Sequence, residues 1–213
     1  MREIAVASGM AQHSHSTQAS SGIPVVGGII GGASAYLVGF LAILFAKSGA
    51  IQNDLTQTLG QIGQLSGDVT LPEAWQVGGW VFYAAHNVEI TMDLSTAGQS
   101  ISRSLPVTNG LLWEPWFLVV PIVALLIAGF IVAWTAPVQT AASGFQAGAS
   151  VVLGYGSLAI GGVFLTEWGL SISQLGTEVT ASVGPSLVPG VVLVGLVYPI
   201  IGGGIGGIAA SRT

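Results

Sequence analysis

The sequence predicts an all-α membrane protein: four transmembrane helices, with an extramembrane amphipathic and interfacial helical insertion between helices one and two. Three observations carry that prediction. Only 6% of the 213 residues are charged, with four Lys and Arg against nine Asp and Glu, where a soluble domain carries about 25%. Apolar residues make up 51% of the chain and the mean hydropathy is +0.78. Four uninterrupted apolar stretches each reach the roughly 20 residues that a helix needs to cross a hydrocarbon core. Together these exclude an ordinary soluble enzyme. They also exclude a nucleic-acid binder, which needs clustered Lys and Arg to neutralise phosphates. With no cysteine, the chain has no disulfide, thiolate metal site or Cys nucleophile.

The polar arm 1–21 carries Arg2 and Glu3 together, and it precedes an apolar run of 25 residues. That run is too long for a signal-peptide core, so an uncleaved first span is expected over 22–46. The remaining spans are expected over 111–135, 145–168 and 187–209. Within the four, only Glu114 and Glu167 are ionisable, each within a turn of a segment end, where a carboxylate reaches headgroups or water. Trp113, Trp116, Trp134 and Trp168 stand at span ends as an aromatic belt does.

Four crossings return both termini to one side of the bilayer. The positive-inside rule is nearly silent, because Arg2 and Arg212 only balance Lys47 and Arg103. The acidic segment 47–110 reads as the external elaboration, which places the termini in the cytoplasm. Inside it, Ile51, Leu55, Leu59, Ile62 and Leu65 make one apolar helical face, ended by Gly67–Pro72. This is either an amphipathic helix packed on its own subunit or the membrane surface, or an oligomer seam.

Residues Ala74–Asp93, AWQVGGWVFYAAHNVEITMD, are apolar enough to suggest a fifth span. They include Gln76, His86, Asn87, Glu89 and Asp93, so an interfacial helix is expected instead. On a helix, Tyr83, His86, Glu89 and Asp93 form a polar stripe. An imidazole and two carboxylates on one face can bind a cation or pass protons, and the same stripe is the wet side of any amphipathic helix. WVFYAAH within this segment resembles a W-x-F-Y-x-A-H element of an uncharacterised family of multi-spanning membrane proteins from halophilic archaea. The resemblance implies one span before the element and three after it, a cell-membrane address and a high-salt exterior. It implies no activity.

Glycine placement is the strongest packing signal. In lipid, helices associate through close van der Waals approach, which small residues four apart permit. Gly27, Gly28, Gly31 and Gly32 make two such overlapping pairs in the first span, and Gly202, Gly203, Gly206 and Gly207 repeat them in the last. Pro24–Ala35 and Pro199–Ala210 align without a gap at seven of twelve positions. Either low complexity explains this echo or the first and last helices meet and close the bundle. Such faces serve packing within a subunit or between subunits.

The sequence contains no Walker loop, G-x-S-x-G elbow or H-E-x-x-H zinc helix. His13 and His15 stand in the polar arm, so no metal site and no cofactor are expected. The expected function is a non-enzymatic structural or accessory subunit. It works in the lipid bilayer and assembles through its glycine faces into a homo-oligomer or with other membrane subunits. The alternative is a small channel or transporter whose oligomer forms the pore, with Glu114 and Glu167 as anionic groups at the outer mouth.

Overall fold

The computed structural model describes residues 23–63, 71–96, 99–109, 112–174 and 177–212. The polar arm, with His13 and His15, and the break at 67–70 lie outside them. Helix α1 spans Val25–Gly63 and α2 spans Ala74–Ala84, followed by strands β1 (Ile90–Thr96) and β2 (Gln99–Leu105). Short 3-10 turns at Val107–Asn109 and Pro115–Leu118 lead into α3 (Val119–Trp134). Then come α4 (Ala141–Ala149), α5 (Val152–Leu165), β3 (Trp168–Gln174) and β4 (Thr177–Pro185). The chain finishes with a single turn, α6 (Leu187–Pro189), a π-helical stretch Gly190–Val197, and α7 (Tyr198–Ala210).

Four helices among the described residues are long and apolar enough to cross a membrane: Val25–Ile51, Pro115–Trp134, Ala141–Leu165 and Leu187–Ala210. They suit a multi-pass membrane protein. The first does not stop before Lys47 as expected; α1 runs through it without a break to Gly63. The third begins at Ala141, where Thr140 accepts a hydrogen bond from the Ser143 N–H at 3.1 Å and so fixes the helix start.

The all-α expectation is corrected by a four-stranded antiparallel sheet of order β2-β1-β4-β3. It sits at the end of the bundle opposite to Val25 and Ala210, where α5 ends and α6 begins. The helix expected over Ala74–Asp93 ends at Ala84, and Asn87, at a φ of 59°, turns the backbone out of helical geometry. Asparagine tolerates that left-handed conformation better than most residues. From Ile90 on, apolar and polar residues alternate with the period of two that a strand requires. Directly paired residues share a face, so Ile90, Met92 and Leu94 line up with Leu105, Arg103 and Ile101 on one side and Pro185, Val183 and Ala181 on the other. The opposite face carries Thr91, Asp93 and Ser95 beside Ser104, Ser102 and Ser100. The result is an amphipathic sheet.

The first part of the insertion packs within the bundle. Seven residues of α2 are buried, Val77, Gly78, Gly79 and Val81–Ala84. The Gln76 amide donates to the Glu167 carbonyl at 3.3 Å, at the sheet end of α5, while the Tyr83 hydroxyl donates to the Ala159 carbonyl nearly two turns deeper. The helix therefore descends into the bundle and the chain returns to the same end in β1, so α2 is re-entrant with respect to the bundle. The irregular turn is tolerated because its N–H groups find partners in the preceding residues, Asn87 on the Ala84 carbonyl and Val88 on the Tyr83 carbonyl.

The glycine rows pack inside the subunit. A Cβ at Gly32 would sit 2.6 Å from the Tyr155 nitrogen and would collide with the Val151 carbonyl, and one at Gly28 would meet the Ser150 backbone 2.7 Å away. In the last span, Gly203 abuts Gly148, Gly206 abuts the Leu126 carbonyl and Gly207 abuts Gly144. The anticipated contact of the first helix with the last is replaced by two separate seams: α1 packs mainly on α5 and α3, and α7 mainly on α3 and α4. Gly27, Gly31 and Gly202 face side chains, with a Cβ at Gly27 no closer than 3.7 Å to its neighbours.

A graded substitution series follows. Gly32→Ala and Gly207→Ala force backbones apart and should lower stability by about 1–3 kcal/mol. Gly27→Ala should be close to neutral, as should Gly161→Ala, which meets nothing within 4 Å. Thermal unfolding in mild detergent checks the ranking; equal effects at all four positions would remove the packing argument.

Candidate functional site

The WVFYAAH element forms a buried polar cluster within the bundle. Its residues Val81–His86 are buried, and His86 is 0% exposed. The His86 Nδ1 lies 2.8 Å from the Phe82 carbonyl and its Nε2 lies 2.7 Å from the Tyr155 hydroxyl. A carbonyl only accepts, so Nδ1 carries the proton and donates; in the neutral ring Nε2 then accepts from the tyrosine. Burial holds the imidazole down to about 4 from an ordinary 6.5, outweighing the opposing effect of the Phe82 carbonyl. At neutral pH the ring is uncharged and both its nitrogens are satisfied.

Aromatic rings enclose it. Phe82 meets His86 edge-on at 4.7 Å and Tyr198 does so at 4.9 Å, while Tyr36 packs against Phe82 at 5.0 Å and Tyr155 at 5.3 Å. The Tyr36 and Tyr83 hydroxyls lie 3.4 Å apart. Gly162 makes room for them, since a Cβ there would sit 2.6 Å from the Tyr83 oxygen. The Asn87 amide, just past the cluster, donates to the Tyr198 hydroxyl at 2.7 Å. Residues from α1, α2, α5 and α7 are thereby joined around one imidazole.

The stripe expected along one helix is divided. Tyr83 and His86 point into the core, whereas Glu89 and Asp93 are exposed beyond the helix end. Glu89 accepts from Ser104 at 2.9 Å and Asp93 accepts from Ser102, both across the first hairpin. Among the described residues no group of three or more His, Asp or Glu is placed to hold a metal ion. Glu114 and Glu167 do lie at the sheet end of their spans. Glu114 forms an ion pair with Lys47 at 3.0 Å, with the ammonium 5.8 Å from the Phe117 ring centre, so this carboxylate ties α1 to the entry of α3. Glu167 is exposed and its backbone carbonyl receives Gln76.

Sequence reading had no means of joining Tyr36, Tyr155 and Tyr198 to His86. The available signal was their position, since each stands near the middle of a different span, where a hydroxyl needs an internal partner.

Tyr155→Phe leaves Nε2 buried without a donor and should cost about 1–3 kcal/mol in thermal unfolding. The sign of the pH dependence also follows. A histidine whose folded pKa is depressed contributes stability that is complete above 6.5 and lost as pH falls toward about 4. His86→Gln should flatten that part of the stability profile; an unchanged slope would show that His86 is not its source.

No curated protein and no solved structure matches this chain. A family model described as "Family of unknown function (DUF7978)" matches residues 7–213, which takes in all four spans, the re-entrant helix and both hairpins. The chain belongs to the DUF7978 family.

Proposed function

We propose that the chain is a non-enzymatic accessory subunit of the cell membrane that assembles with a second copy of itself through its sheet. The carrying observation is the apolar stripe left on the end of the sheet away from the helices. Leu94 is 38% exposed, Ile101 61% and Val179 39%, although all three lie on the face that begins, at Ile90, fully buried against the bundle. Strand β2 borders this stripe as an edge and is exposed along almost its whole length, with no proline to block pairing. Such an edge is a template for another strand. Two β2 edges joined antiparallel about a two-fold axis would bring the Ile101 side chains of both copies onto one continuous face, with Arg103 and Gln99 beside them.

This reading moves the docking surface from the glycine rows, which are occupied within the subunit, to the sheet. The clamp around His86 fits the same role. Among the described residues no buried side-chain nitrogen or oxygen lacks a partner, as expected of a saturated structural tie and not of a group awaiting substrate. On this reading the termini lie in the cytoplasm and the sheet outside, and the modest acid excess of nine Asp and Glu over four Lys and Arg fits a high-salt exterior such as that of a halophilic archaeon. A pore has less support, because Glu114 is engaged by Lys47.

The particle mass in mild detergent tests the proposal. The parent should be a dimer, and Ile101→Asp should yield a monomer whose thermal unfolding is unchanged, since that side chain touches no core. A parent that is monomeric at every salt concentration, or an Ile101→Asp variant that stays dimeric, would overturn it.

A further inference from the structure

We infer that the chain carries a binding site for a single-chain amphiphile with a cationic head, formed where a polar cleft under the first hairpin meets an apolar groove between α3 and α7. The cleft, about 520 Å³, is lined by Asn87, Glu89, Ser104, Thr108, Trp113 and Leu118 among others. The groove, about 380 Å³, is lined almost wholly by apolar side chains, including Ile122, Leu125, Ile201 and Ile205. Two features set them side by side. Asn87 belongs to the cleft and Tyr198 to the groove, and they share the 2.7 Å hydrogen bond. Leu118 belongs to the cleft, while Ile122 and Leu125 follow it four and seven residues on, along one side of the same helical stretch.

The depths match those of an amphiphile. Trp113 stands just before the span that opens at Pro115, at headgroup level, and Ile122–Leu126 lie roughly 10–16 Å further down at helical rise. Ile122 and Ile201 are 44% and 53% exposed on the side turned to lipid, so a chain can enter laterally. The charge of the head is set by the cleft. Its lining holds the Glu89 carboxylate and the Trp113 indole and, among the described residues, includes no Lys, Arg or His. A carboxylate that shares a cleft with an aromatic side chain attracts an ammonium group and repels a phosphate or sulfate. Asn87 and Thr108 supply hydrogen-bonding groups for a primary ammonium or a hydroxylated head.

Native mass spectrometry of the protein in a neutral maltoside detergent reads the site directly, with dodecyltrimethylammonium, dodecylammonium and dodecyl phosphate added in turn. The expected result is one retained cationic amphiphile per chain and no retained dodecyl phosphate. Preference between the two cations separates a quaternary from a primary head. Glu89→Gln should weaken cation retention about tenfold or more, and Ile122→Trp, which fills the groove from an exposed position, should abolish it. Thermal unfolding of both variants should stay at the parent value, because neither side chain is in the core. Equal retention of the phosphate, many weakly held copies as in an annular lipid shell, or retention indifferent to both variants would each overturn the inference. A monomeric protein that still retains the cation would reject the sheet-mediated dimer and leave this site standing.

Discussion

Backbone-to-backbone contact at glycine is the constraint on which the rest of the molecule depends. Hiding apolar surface gives little drive for helix association in lipid, so the bundle is held by how closely its helices approach. At Gly32 and Gly154 the backbones of α1 and α5 come within the distance that a single methyl group would occupy, and Gly148, Gly203 and Gly207 bring α4 and α7 together in the same way. Both seams lie toward the ends that carry the termini. Toward the sheet end, α1 instead takes α2 as a neighbour, with Gly78 against Leu44, while Gly79 of α2 lies against Thr166 at the end of α5. Tight packing at one end and a space filled by a short re-entrant helix at the other are two results of one distribution of small residues.

The re-entrant helix turns a packing problem into a polar one. A backbone that reverses at Asn87 within the bundle exposes groups that lipid cannot satisfy. The chain meets that demand locally, with the His86 and Val88 N–H groups on the Tyr83 carbonyl, the Asn87 N–H on the Ala84 carbonyl and the His86 ring on the Phe82 carbonyl, and it satisfies the polar side chains brought in with the turn from other helices: Tyr155 on His86 and Tyr198 with Asn87. Removing one partner therefore strands another. The network is costly to disturb for that reason, even though a typical net hydrogen bond contributes only about 1 kcal/mol.

The spans were legible in the sequence because hydropathy over some 20 residues is a strong signal and needs no knowledge of neighbours. The glycine pairs were legible as close-contact positions, but their partners were not: the same spacing at Gly28 and Gly203 serves α1 with α4 and α5 in one case and α7 with α4 in the other. The sheet was hidden by its junction with α2. Ala74–Ala84 has a helical pattern, and extending it to Asp93 places Tyr83, His86, Glu89 and Asp93 on one face, so the period-two alternation that starts at Ile90 was absorbed into a longer helix. Each strand is also short, seven residues in β1 and β2, and half polar. Its identity as a strand lies in pairing with β4, some ninety residues away in the chain. The His86 cluster was half legible, its histidine visible and its tyrosines scattered over three spans.

The last span shows how a local irregularity can place a functional side chain. Pro199 cannot donate to the carbonyl a turn earlier, and a regular α-helix through it would leave that group unpaired at mid-span. The chain widens instead. Residues Gly190–Val197 are π-helical, and the Tyr198 N–H reaches back five residues to the Leu193 carbonyl. Taking one more residue per hydrogen-bonded turn sets everything after it back by about 100° of helical phase. Tyr198 is the first residue after that shift, and it bonds Asn87, borders His86 and lines the groove beside α3. Ile201, Gly202 and Ile205 follow on the same groove face. The wider turn thus sets both the closure of the histidine cluster and the junction of the cleft with the groove. A substitution that restored regular α-helical phase upstream of Pro199 would act on both at once.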